Sequence, residues 1–164
     1  MQADAARGLS WVSIFRLGLV QTALGAIVVL ATSTLNRVMV VELALPAMLP
    51  GALVGFHYGV QMMRPRWGFG ADAGGRRTPW ILGGMAALAA GGYLAAHGTV
   101  WMGTDFWPGL LATVLAFGLI GAGVGASGTN LLALLATTVA PRRRAAAATI
   151  VWLMMIAGFV VTAT

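Results

Sequence analysis

The stretch Gly68-Phe-Gly-Ala-Asp72-Ala-Gly-Gly75-Arg76-Arg77-Thr-Pro-Trp-Ile81 separates two long apolar segments. It holds two of the ten arginines, one of the four acids and four glycines of a chain that is otherwise almost uncharged. A short, basic, glycine-rich connection between apolar spans is a turn on the positively charged side of a membrane. Working outward, the upstream span runs from 43 to 63 and the downstream span from 79 to 96. Each comes close to the roughly 20 apolar residues that cross a hydrocarbon core of about 30 Å.

The rest of the chain repeats the pattern. A first span at 17–35 follows a mixed segment, Leu9 to Arg16, that reads as an interfacial lead-in after a cytoplasmic N-terminus. A fourth stretch, 108–140, is longer than a bilayer requires, and its flexible point is expected at Gly121 to Gly128. A fifth, 145–164, is still apolar at Thr164. The expectation is an all-α transmembrane fold of five spans. Because the fifth has no closing loop, the chain reads as the front part of a longer bundle. Composition agrees: 59% of the 164 residues are hydrophobic and 9% charged, too little charge to cover a water-soluble surface.

All basic residues are arginine, and they sit between spans. Arg7 and Arg16 precede span one, Arg64, Arg66, Arg76 and Arg77 follow span two, and Arg142 to Arg144 follow span four. The alternate loops hold Arg37 with Glu42, and His97 with Asp105. The positive-inside rule then places the N-terminus in the cytoplasm. The net charge of +6 is a topology signal, and no nucleic-acid partner is expected. The N-terminus is not a cleavable signal peptide, since Arg16 interrupts it and the following apolar stretch is too long.

The chemistry-bearing residues are few. There is no cysteine, so disulfides and thiolate chemistry are excluded. Paired carboxylates, a nucleophile with its base, and a metal-ligand cluster are all lacking, and no enzyme is expected. Asp4, Glu42, Asp72 and Asp105 lie outside or at the ends of spans, whereas proton-coupled transport usually uses a buried acid. His57 lies within span two with Gln61 one turn later and Arg64 one turn beyond. It is either an axial ligand to a chlorin magnesium or a histidine bonded to a neighbouring helix. Gln21, on a face with Gly18 and Gly25, and Asn130, beside Ser127 and Thr129, mark helix contacts or a cavity wall. His97, at the outer edge of span three, is expected to be solvated. Trp67 and Trp80 on one side, and Trp101 and Trp107 on the other, read as interfacial belts.

The spacing of Gly68, Asp72, Gly75, Arg76 and Arg77 resembles the signature loop of the major facilitator superfamily, with Ala73 where a basic residue is usual. Three longer stretches, Leu35 to Val54, Arg64 to Gly68 and Gly74 to Ile81, resemble the PucC/LhaA family of purple phototrophic bacteria. That resemblance implies the first five helices of a major-facilitator-type twelve-helix bundle in the bacterial inner (intracytoplasmic) membrane. It implies a non-enzymatic assembly factor for light-harvesting antennae that binds or delivers bacteriochlorophyll or nascent antenna polypeptides. The reaction centre and bacteriochlorophyll synthesis enzymes are further implied partners. Two other readings stand beside it: a secondary transporter of a hydrophobic or tetrapyrrole substrate, and a structural subunit kept in a photosynthetic supercomplex.

Overall fold

A computed structural model describes residues 8–163. The expectations attached to Asp4, Arg7 and Thr164 lie outside them. The described residues are helical, with no strand among them. We label the helices α1 (Trp11–Glu42), α2 (Met48–Gln61), α3 (Arg64–Ala73), α4 (Thr78–Trp101), α5 (Phe106–Thr138) and α6 (Arg144–Ala163), the last preceded by a 3₁₀ turn at Pro141–Arg143.

Helices α4 and α5 form the tightest pair. On α4 the buried positions Ile81, Gly84, Leu88, Gly91, Ala95, Gly98 and Met102 alternate by three and four residues. That is the 3.5-residue period of a left-handed seam. The facing buried positions of α5, Gly109, Thr113, Ala116, Ile120, Gly123 and Ser127, keep the same rhythm. Gly84 meets Ser127, Gly91 meets Ala116 and Ile120, and Gly98 meets Thr113, so the two helices are antiparallel. A Cβ on Gly91 would stand 2.9 Å from both the Ala116 carbonyl oxygen and the Ile120 nitrogen. The backbones approach more closely than any side chain would permit, which is how apolar helices gain van der Waals contact where lipid offers no hydrophobic drive.

A second seam joins α1 and α6. Gly18 faces Met154, Gly25 lies under Met155 and Phe159, and Thr22 donates to the Met154 carbonyl at 3.0 Å. The pairing advances along both helices together, so they are parallel. Helices α2 and α3 run beside α5 in its direction, since Phe56 lies at Gly118, Val60 at Gly121, Trp67 at Gly125 and Gly68 at Thr129. The starts of α4 and α6 and the turn after α3 therefore share one end of the bundle. Arg16, Arg76, Arg77 and Arg142 to Arg144 gather towards that end, while Glu42 and Asp105 mark the other. Leu82, Leu111, Leu115, Leu153 and Val160 remain exposed, an apolar exterior suited to lipid.

The structure corrects several expected boundaries. Four helices among the described residues are long and apolar enough to cross a membrane: Trp11–Glu42, Thr78–Trp101, Phe106–Thr138 and Pro141–Ala163. The expected second span, 43–63, is helical only from Met48 to Gln61, and a further short helix follows it. Pro65 cannot donate to the Gln61 carbonyl, so α2 stops at Gln61 after 14 residues, about 21 Å, and α3 begins at Arg64. The segment 68–73, expected as loop, is the second half of α3. Only Gly74 to Arg77 form the turn, with Gly75 at φ +63°, a conformation that glycine adopts without strain.

The first helix starts earlier than expected, because the Ser10 hydroxyl accepts from the Ser13 backbone N–H at 3.2 Å and caps it. It continues past 35, through Arg37, with wider π turns at Leu30–Thr34 and Val38–Glu42. Helix α5 does not break at Gly121 to Gly128. Its glycines there are occupied as contact points: a Cβ on Gly121 would lie 2.6 Å from the His57 carbonyl oxygen, and one on Gly123 2.6 Å from that of Gly84. Trp67 and Trp80, expected in an interfacial belt, lie over Gly125 and Gly70.

Gly91→Leu would wedge α4 from α5 and cost about 1–3 kcal/mol as an overpacked contact. Gly83→Leu, one position off the seam and with open space around it, would cost less than about 0.5 kcal/mol. Denaturation of the two variants in the same detergent checks the contrast, and equal losses would contradict the seam.

Candidate functional site

Among the buried polar side chains, Gln21 stands on α1, His57 and Gln61 on α2 and Asn130 on α5, while Thr99 lies on α4 and Thr113 and Ser127 on the seam of α4 with α5. His57 and Gln61 stand one turn apart on α2, and both are buried. Gln61 Nε2 lies 2.8 Å from His57 Nε2, and the Arg64 guanidinium donates to Gln61 Oε1. These contacts determine the proton positions. A guanidinium only donates, so the carbonyl end of the Gln61 amide must face Arg64 and its NH₂ must face the imidazole. His57 Nε2 therefore accepts, and the ring proton sits on Nδ1. That N–H is buried without a hydrogen-bond partner. Arg64, at the start of α3, is three residues from Gln61 and reaches it across the junction of α2 and α3.

Arg64 also enters a neighbouring cavity of about 280 Å³ that Gln21, Leu24, Thr129, Trp152 and Met155 help to line. Gln21 makes only a long contact, Nε2 to Met155 Sδ at 3.7 Å, and its Oε1 is buried and unpartnered. A buried carbonyl oxygen without a donor costs about 1–3 kcal/mol. Asn130 is fully buried on α5. Its NH₂ donates to the Ala126 carbonyl at 2.9 Å, and its Oδ1 has no partner. Gln21 thus both packs on α6 and lines the cavity, whereas Asn130 is not among the cavity-lining residues.

The signature residues lie apart from this network. Asp72, at the end of α3, is ion-paired with Arg77, the residue before α4, across the Gly74–Gly75 turn. Asp72 is 58% exposed, so the pair is a solvated clasp. Gly68 packs loosely against Thr129, and Arg76 is exposed. Sequence reasoning passed over Gly70, where a Cβ would lie 2.8 Å from the Trp80 ring. A small residue four positions before Gly74 was the available signal.

Among the described residues no group of three or more metal-ligating side chains exists. The other expectation for His57 is axial ligation of a chlorin magnesium. An axial ligand needs a free lone pair on a face wide enough for a flat macrocycle. His57 has its Nε2 lone pair engaged by Gln61, a proton on Nδ1, and 1% exposure against α5. It does not fit that role in this arrangement.

The family model described as "PUCC protein" matches residues 34–164. "Bacteriochlorophyll synthase 44.5 kDa chain" of Rhodobacter capsulatus is 62% identical over 155 residues, 94% of this chain and 36% of that protein. "Protein PucC" of Cereibacter sphaeroides is 38% identical over 85% of this chain and 33% of its own length. "Protein PucC" of Rhodovulum sulfidophilum is 32% identical over 92% and 36%. The chain spans about a third of the length of these relatives. No solved structure matches.

Gln61→Leu would strand both Arg64 and His57 Nε2. It is expected to destabilise the protein by about 1–3 kcal/mol, read as a lower denaturation midpoint in detergent. Asp72→Asn would change stability by less than about 1 kcal/mol, as expected for a solvated pair. A larger loss in that variant would show that the clasp carries fold stability.

Proposed function

The chain belongs to the PUCC protein family, and from that premise we propose that it is part of a non-enzymatic membrane factor for assembling bacterial light-harvesting antennae. The factor handles bacteriochlorophyll, nascent antenna polypeptides or both. The observation that carries this reading is the PUCC family match over residues 34–164, beside relatives named PucC; the 62% identity to a relative named for bacteriochlorophyll synthase supports the pigment. That the factor is non-enzymatic is part of the proposal. The apolar exterior of the bundle suits a partner that approaches through lipid.

We further propose five membrane passes, with α2 and α3 together making the second. Their shared direction with α5 supports this, as does the alternation of helix directions around the bundle. Twelve helices in the major-facilitator arrangement, of which these are the first, would follow from the signature turn at Asp72 to Arg77. The gathering of arginines at one end of the bundle supports an inner-membrane protein with that end, and the N-terminus, in the cytoplasm. Antenna polypeptides are the proposed partners, with the reaction centre or bacteriochlorophyll synthesis enzymes as further ones.

One observation favours a second reading. The cavity at Gln21 and Arg64 has polar groups convergent on an apolar space, as a substrate path would. A transporter of a hydrophobic or tetrapyrrole substrate predicts flux into vesicles that falls when Asp72 is neutralised.

Deleting the gene in a phototrophic host is expected to lower antenna absorbance and slow its appearance, with pigment synthesis continuing. Unchanged absorbance and kinetics would contradict the assembly role.

A further inference from the structure

The second histidine has the features that His57 lacks. His97 lies near the end of α4 remote from the arginine-rich turn, on the exposed face. Its Nδ1 is 3.1 Å from the Tyr93 carbonyl oxygen. A carbonyl only accepts, so Nδ1 carries the proton and donates, and Nε2 holds an unshared lone pair. The Tyr93 ring packs against the imidazole, with centroids 4.1 Å apart and planes tilted 35°, which restrains the ring's rotation. Beside it lies a shallow hollow of about 420 Å³, lined by Ala96, Val100, Trp101 and Thr104. The Thr104 hydroxyl donates to the Trp101 carbonyl at 3.1 Å. The hollow is therefore apolar apart from the imidazole.

A donor N–H held by a backbone carbonyl, with the opposite nitrogen presented outward, is how a metal-binding histidine is oriented. The number of donors then selects the metal species. A free divalent ion needs three or four protein ligands, and no such group exists among the described residues. A metal already held by the four nitrogens of a tetrapyrrole needs one. The macrocycle is flat and apolar, and it would lie across the exposed face of α4 with the Trp101 indole at its edge.

We propose that His97 Nε2 is an axial ligand to the central metal of a tetrapyrrole docked on the outer face of α4 over Ala96, Val100 and Trp101. The inference rests on the function proposed above for its choice of metal, which is the magnesium of a chlorin. It assigns the site to a residue expected only to be solvated, and to the exposed face of α4.

The test titrates the purified protein in nanodiscs with bacteriochlorophyll, with its magnesium-free analogue and with haem. It follows the visible absorption band that reports axial coordination. The variants are His97→Leu, His97→Gly, and Val100→Trp, which fills the hollow and keeps the histidine. Each exchanged side chain is exposed, and monodispersity and denaturation midpoint confirm folding.

Wild type is expected to bind the magnesium chlorin with a coordinated band. His97→Leu and Val100→Trp are expected to weaken it by more than about tenfold. Binding of the magnesium-free analogue should be the same in wild type and His97→Leu, and added imidazole should restore the coordinated band to His97→Gly. Equal affinity and an unchanged band in His97→Leu would overturn this inference and leave the assembly role standing. A wild-type protein that binds no tetrapyrrole would overturn both this inference and the pigment-handling part of the proposed function. Preference for haem over the magnesium chlorin would overturn the assignment of the metal.

Discussion

The contact on which the rest of the bundle depends is the glycine seam between α4 and α5. In water, two such helices would be driven together by hiding apolar surface. In a bilayer that drive is absent, and helices with little but small apolar residues gain only by close approach. Gly84, Gly91 and Gly98 stand a heptad apart, and each meets backbone of α5 where any larger side chain would collide. With α5 held in this way, its opposite faces become the support on which α2, α3 and α1 are mounted. Gly121 and Gly125 are as necessary to that mounting as the seam itself, since they receive the backbone at His57 and the Trp67 ring.

The same scarcity of polar groups explains how function is distributed. Two of the buried polar side chains, Gln61 and His57, are joined in one chain to the exposed Arg64, at the one-turn spacing of neighbours on a helix face. Hydrogen-bond donors and acceptors dictate each proton in that chain, and together they remove His57 from consideration as a metal ligand. At the other end of the bundle, the same reasoning leaves His97 with an available lone pair. Two histidines on comparable apolar helices are thereby separated by what their other ring nitrogen does. The signature turn, by contrast, is an exposed clasp between Asp72 and Arg77, and its value lies in what it links: α3, which carries Arg64, and α4, which carries the seam and His97.

Much of this was legible in the residues. The apolar periods, the arginine-rich turn and the one-turn spacing of His57, Gln61 and Arg64 follow from helix geometry and charge, and the structure brings that last trio into contact. What was not legible has identifiable causes. Hydropathy does not see that the chain resumes a helix at Arg64 and Pro65, so 68–73 was expected as loop where the chain makes a second short helix. Glycine was read at Gly121 to Gly128 as freedom, because a single strand of sequence does not reveal the neighbour that fills the notch. His97 was passed over because its lone pair depends on the Tyr93 carbonyl, a partner visible only once the helix is built.

The proposed assembly role has the protein serve antenna formation from within the membrane and leave the finished complex. The most direct measurement is a pulse–chase purification through a tag on the protein, following newly made antenna polypeptide during the onset of pigment complex formation. The account predicts that labelled polypeptide associates early, in less than stoichiometric amount, and departs as antenna absorbance rises. Absence of any association, or a stoichiometric association that persists in the mature complex, would contradict it.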